Sequence, residues 1–226
     1  MYELQAPPSS YSNISINELD DVERALHEID RNLSLELFYD VASASLLLSE
    51  ESSSIYYSPK AFGTSLQMHF EGQLREKLSL LGWTLLNGSG GAAYSISPCK
   101  NHAIYVLTGT EDVGLTEGNP TNKNNKGKNN KGGELCKAIS DPQIYFQGNT
   151  VLHVLLIYYK IDHLSMELSI PNEFEKRYIQ SWSQRILFPS YIPGNAINSN
   201  IDVNRKNSAT TTDTEEITVK RRKNAG

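Results

Sequence analysis

The sequence predicts an α+β fold in which N-terminal helices pack on a mixed or antiparallel sheet with a hairpin at its centre. Three observations predict it: apolar residues recur at three- and four-residue steps in the first third of the chain, a run around residue 155 is apolar on both sides of a strand, and the segment after that run alternates apolar with polar side chains. With 226 residues and 38% hydrophobic content the chain can bury a substantial core. It reads as a single globular domain over residues 1–194, helical in 16–83 and mainly sheet in 84–194, with a polar tail, 195–226, expected to be disordered.

The elements follow in order. After a Pro- and Ser-rich lead, Leu19, Val22, Leu26, Ile29, Leu33 and Leu37 form one stripe on a helix, with Asn17 placed to cap it and Asp20 and Asp21 suited to the positive end of its dipole. A serine- and glutamate-rich connector breaks the pattern. Ser58 then caps a second helix, Pro59 suits its first position, and Phe62, Leu66, Phe70, Leu74, Leu78 and Leu81 form its buried face. Gly82 supplies a left-handed stop, and Trp83 folds back on the stripe. Glycine and serine interrupt from Leu85 onward, and "GSGG" at 88–91 is a loop, because it lacks the lysine and helix of a phosphate-binding loop. "HAIYVLTG" is a strand, and residues 118–133, without an apolar side chain, are a flexible loop.

The second strong signal is "NTVLHVLLIYYKIDHLSMELSIP". A reversal at Asp162 and His163 that sets Ile161 against Leu164 makes one side wholly apolar, with Leu155, Ile157 and Tyr159 sharing a face with Leu164, Met166, Leu168 and Ile170. The other side carries Val154, Leu156, Tyr158 and Lys160 against Ser165, Glu167 and Ser169. Glu167 is thus expected beside Tyr158, facing solvent or bonded to the phenol. Pro171 closes that strand, and a helical or irregular piece follows in which Trp182, Ile186 and Leu187 pack on the hairpin.

Charge and motifs exclude several functions. The net charge of −5, from 21 basic and 26 acidic side chains, gives no global attraction to nucleic acid or anionic lipid, so such binding requires a local patch. One candidate is the terminal run Lys220, Arg221, Arg222 and Lys223. Cys99 and Cys136 suit reduced thiols, and the five histidines lack zinc-ligand spacing. Without a signal sequence or an apolar membrane span, the chain is read as soluble and cytoplasmic, with no membrane partner.

"YYSPKAF", followed by a helix ending in "LREKLSLLGW" and preceded by an acidic helix containing "ALHEID", resembles the N-terminal half of type II restriction endonucleases of the Bgl/BstY group over about residues 22–83. The resemblance implies a restriction-endonuclease-like fold, a mixed sheet flanked by helices. It also implies Mg²⁺ held by an Asp and a Glu on adjacent strands, with a Gln or Lys two residues after the Glu. The candidates here are Asp162 and Glu167 as catalytic carboxylates and Glu167 as the metal ligand. They stand closer together than in the family, and Ser169 occupies the Gln or Lys position. Asp141 and Glu71 match no family motif. Lys60, Arg75 and Lys77 on the second helix, with the terminal basic run, are the candidate DNA contacts. The functional expectation is a DNA-associated protein of the restriction or defence type, either a divergent Mg²⁺-dependent endonuclease or an inactive relative. Its expected partners are double-stranded DNA and a second copy in a homodimer. The alternative is a non-catalytic protein-binding or assembly module.

Overall fold

A strand that is apolar on both sides is stable only between two layers, and that requirement shapes this molecule. The computed structural model describes residues 14–51, 56, 58, 61–88, 91–124, 131–160, 163–175 and 177–194. In chain order they form β1 (Ile14–Ile16), α1 (Leu19–Ile29), α2 (Leu35–Glu51), α3 (Ala61–Leu80), β2 (Thr84–Asn87), β3 (Ala93–Ile96) and β4 (His102–Thr108). Then come α4 (Lys131–Ser140), α5 (Pro142–Phe146), β5 (Val151–Lys160), β6 (His163–Glu175) and β7 (Tyr178–Leu187). The strands build one seven-stranded sheet in the order β1-β7-β6-β5-β4-β3-β2. It is mixed, because β4 pairs with β5, and β1 with β7, in parallel, while the other pairs are antiparallel. The class is α+β, as the sequence predicts.

β5 lies in the middle of the sheet. On one face Leu155 and Ile157 join Leu164, Met166 and Leu168 beneath Leu26, Phe38, Leu66, Phe70 and Leu74 of α1, α2 and α3. On the other, Leu152, Val154 and Leu156 join Tyr94, Tyr105 and Leu107 beneath Leu135 and Ala138 of α4, together with Ile179 and Trp182 of β7. The predicted division of side chains between faces holds. The pairing is displaced by two residues: Tyr159, not Ile161, stands opposite Leu164, and Leu156, not Tyr158, stands opposite Glu167. A shift by an even number preserves every face, and so hydrophobic pattern alone does not separate the two registers. Of the expected turn at Asp162 and His163, Asp162 lies outside the described residues, whereas His163 already belongs to β6 and stands opposite Lys160.

The helical layer departs from expectation at one point. The single predicted first helix is two, broken at Asp30, whose backbone is extended. Asp30 Oδ1 accepts from the backbone N–H of Asn32 at 2.9 Å, and Glu23 Oε1 accepts from that of Leu35 at 3.1 Å. These polar side chains offer the backbone partners that compete with a continued helix. Val22, Leu26, Ile29 and Leu33 are buried as predicted, whereas Leu19 is 42% exposed. Asn17 does not cap: the cap position of α1 is Glu18, without a side-chain bond, and Asn17 Nδ2 instead donates to Thr116 Oγ1 at 3.5 Å.

α3 follows the sequence closely. Leu66, Phe70, Leu74 and Leu78 are buried, and Phe62 and Leu81 pack at the margin of the same core. Gly82 has φ +87°, and the N–H of Trp83 donates to Leu78 O at 3.0 Å, a left-handed stop. The Trp83 indole is buried and donates to Asp30 Oδ2 at 2.8 Å, tying the end of α3 to the end of α1. Pro59 lies outside the described residues.

The sheet is larger than predicted. β2 and β3 occupy the stretch expected to be irregular, α4 begins inside the expected 118–133 loop, and β7 replaces the expected helical or irregular piece. Cross-strand pairing accounts for the added strands, since β-propensity in a short segment is decided by its neighbours. Pro171 does not end β6. It sits at a register shift within the β6–β7 pair, where its missing N–H is tolerated. Cys99 and Cys136 are both free. Among the described residues no helix is long and apolar enough to cross a membrane.

Candidate functional site

β6 and β7 pair antiparallel with Ser169 opposite Arg185, which brings Glu167 and Arg185 onto one face of adjacent strands. Glu167 is fully buried rather than facing solvent, and Leu156, not Tyr158, stands opposite it. Its Oε1 accepts from Arg185 Nε at 3.0 Å and from Ser169 Oγ at 2.8 Å. Its Oε2 accepts from Arg185 Nη2 at 2.6 Å and from the backbone N–H of Gly114 at 2.8 Å. Four donors, two of them on the guanidinium, occupy the acceptor positions of the carboxylate. The fork is completed by Arg185 Nη1, which donates to Gly118 O at 2.7 Å.

This pair fastens the 109–124 excursion to the sheet. The same segment is held again by Trp182 Nε1, which donates to Pro120 O at 2.8 Å, and by the buried Asn122. Asn122 accepts from the backbone N–H of Ile179 at 2.9 Å and donates to Arg177 O and Asn124 O at 3.1 and 2.8 Å. Close approach is what the glycines here permit. Gly114 has φ +78°, and a Cβ at Gly118 would lie 2.7 Å from Asp112 O.

A second polar group lies at the opposite, amino-terminal end of the parallel β4–β5 pair, where His102 Nδ1 and His153 Nε2 are 3.0 Å apart. Burial, and then the charge of neighbouring His102, pushes His153 down to about 3. His102 is also lowered, chiefly by burial, with Asp30 opposing. Both rings are therefore neutral at pH 7, with one of the two facing nitrogens donating to the other, while His153 Nδ1 has no partner. Among the described residues no cluster of three or more His, Cys, Asp or Glu could hold a metal ion.

The other predicted residues separate. Arg75 Nη2 donates to Asn87 Oδ1 at 2.7 Å, and Lys77 Nζ pairs with Asp40 Oδ2 at 2.9 Å, so both cations on α3 are engaged within the molecule. Asp141 caps α5, accepting from the N–H of Ile144 at 3.0 Å. Asp162, Lys60, Lys220, Arg221, Arg222 and Lys223 lie outside the described residues.

Sequence reasoning missed Arg185, Asn122 and the histidine pair. The available signal for Arg185 was a lone cation inside the apolar run "SWSQRILFP", but its partner depends on strand register. At the carboxyl end of the β4–β5 pair, Lys123 Nζ lies 6.0 Å from the Tyr158 ring centroid, and the Phe62 and Tyr159 rings are 5.0 Å apart. Comparison of the chain with protein-family models, with curated proteins and with solved structures finds no match in any of the three.

Proposed function

We propose that the chain is a DNA-associated protein of the restriction or defence type, built on a restriction-endonuclease-like scaffold and inactive as a nuclease at Glu167. The carrying observation is the saturation of that carboxylate by Arg185, Ser169 and Gly114 in a site without solvent access. A Mg²⁺ ligand needs a free oxygen lone pair beside a water-filled position, and binding here would displace Arg185 from a buried pair. The scaffold part of the proposal is supported by a mixed sheet with helices on it and by an α3 that ends in Gly82 and Trp83, as the resemblance requires. Incubation of the protein with plasmid DNA and Mg²⁺ or Mn²⁺ tests it. The expected result is retained, salt-sensitive binding without cleavage. Cleavage that is lost in Glu167→Gln, in a variant whose thermal melt shows it still folded, overturns it.

A second reading, a protein-binding or assembly module, is favoured by the outer strand β2. Leu85 is 44% exposed there, and Leu80 at the end of α3 is 82% exposed. Such an edge suits strand addition by a second copy. Light scattering reads the dimer, and Leu85→Lys is expected to dissociate it.

A further inference from the structure

The geometry points to the carboxyl-terminal rim of β4 and β5 as a surface for single-stranded nucleic acid, with Lys123 and Lys160 on the phosphates and Tyr158 under a base. This rests on the DNA-associated reading above and gives it a location that differs from the α3 face. The lysine-rich stretch after Gly118 carries no aromatic residue of its own, and in sequence it looks like a solvated insertion. Folding supplies the missing ring from a distant strand. The N–H of Lys123 donates to Thr108 O at 2.8 Å, which places Lys123 at the end of β4, and its ammonium lies over Tyr158 of β5. Tyr158 and Lys160 alternate with Tyr159 on β5 and so share the face that Lys123 occupies. Both lysines are exposed and Tyr158 is half-buried.

The position in the fold supports the same assignment. β4 and β5 are the parallel pair at the centre of the sheet, and ligands of open sheets gather outside the carboxyl ends of parallel strands. The first turn of α3 reaches the same end of these strands on the opposite face of the sheet, where Phe62 packs on Tyr159 and Thr108 Oγ1 donates to Gln67 Oε1 at 2.9 Å, so it closes that face and leaves the Tyr158 side to Lys123 and Lys160. By contrast, the amino-terminal end of the pair carries the two neutral histidines, His102 and His153. Sites for single strands combine cations that follow the backbone with a ring on which bases stack, and that is the combination assembled here.

The test uses the full chain, a short fluorescent oligothymidine and a duplex of matched length, with anisotropy read across a salt series. Wild type is expected to bind the single strand more tightly than the duplex. Lys123→Ala with Lys160→Ala is expected to weaken binding about tenfold or more at low salt and to reduce the log–log salt slope by about 1.4 for two lost phosphate contacts. Tyr158→Leu is expected to weaken binding about fivefold or more without changing that slope. Unchanged affinity in the lysine double variant overturns this surface and leaves the DNA-associated reading standing. Preference for the duplex overturns the single-strand assignment. No binding to either form by wild type overturns both.

Discussion

Replacing Glu167 with glutamine removes one charge from a site that has no water to compensate for it. In the native molecule Arg185 presents Nε and Nη2 to the two oxygens at 3.0 and 2.6 Å, and the remaining acceptor positions are filled by Ser169 and the Gly114 N–H. The amide introduced by Glu167→Gln has a single acceptor oxygen. Whichever way it turns, its NH₂ group faces a donor of the guanidinium, together with either Ser169 or the Gly114 N–H. Arg185, only 4% exposed, is then a buried cation without a counter-charge. Removal of one member of such a pair destabilises by about 3–5 kcal/mol. For a unit of this size that is a fall in Tm of roughly 6–20 °C. Urea unfolding followed by circular dichroism reads the change as a shift in midpoint with the slope m unaltered. Glu167→Gln combined with Arg185→Met is expected to be more stable than the sum of the single losses predicts, because the second change removes the stranded cation. A loss below about 0.5 kcal/mol in Glu167→Gln, the range of an ordinary surface substitution, refutes the assignment of the carboxylate to the core.

Three further outcomes follow from other contacts. The unfolded chain takes up a proton on His153 near its ordinary 6.5, whereas the folded one does so only near 3. Stability is therefore lost as pH falls through that window, by about 2–3 kcal/mol between pH 6.5 and 4.5, and urea midpoints of wild type against His153→Asn isolate this contribution. Gly82→Ala places a Cβ on a residue at φ +87° and is expected to cost about 1–2 kcal/mol, read as a lower urea midpoint. Asn122→Ala leaves the buried N–H of Ile179 without its acceptor. It is expected to cost about 1–3 kcal/mol and to speed proteolytic cleavage between residues 109 and 124, read by mass spectrometry of the fragments.

The candidate site was much less legible than the layers around it. Glu167 stood out as a carboxylate on a strand, and its face was assigned correctly from alternation. Its partner was not legible, because Arg185 lies across a strand boundary that the sequence presents as irregular, and because a two-residue change of register moves every neighbour without moving any face. The same limit hid the histidines. His102 and His153 are far apart in sequence and meet only because β4 and β5 run parallel, with β4 His102 opposite Val151. Arg75 and Lys77 look like free cations on an exposed helical face until Asn87 and Asp40 are brought against them.

What the chain determined by itself were properties of period and punctuation: the buried stripe of α3 and its stop at Gly82, the two apolar sides of β5, and the allotment of β6 side chains to opposite faces. These depend on spacings of two or of three and four residues, which any stretch of sequence displays on its own. Tertiary structure decided the break at Asp30, the existence of β2, β3 and β7, and the enclosure of Glu167 by Arg185. Each of those depends on contacts between segments distant in sequence. The free energy of such contacts belongs to the pair, and neither member carries a local trace of it.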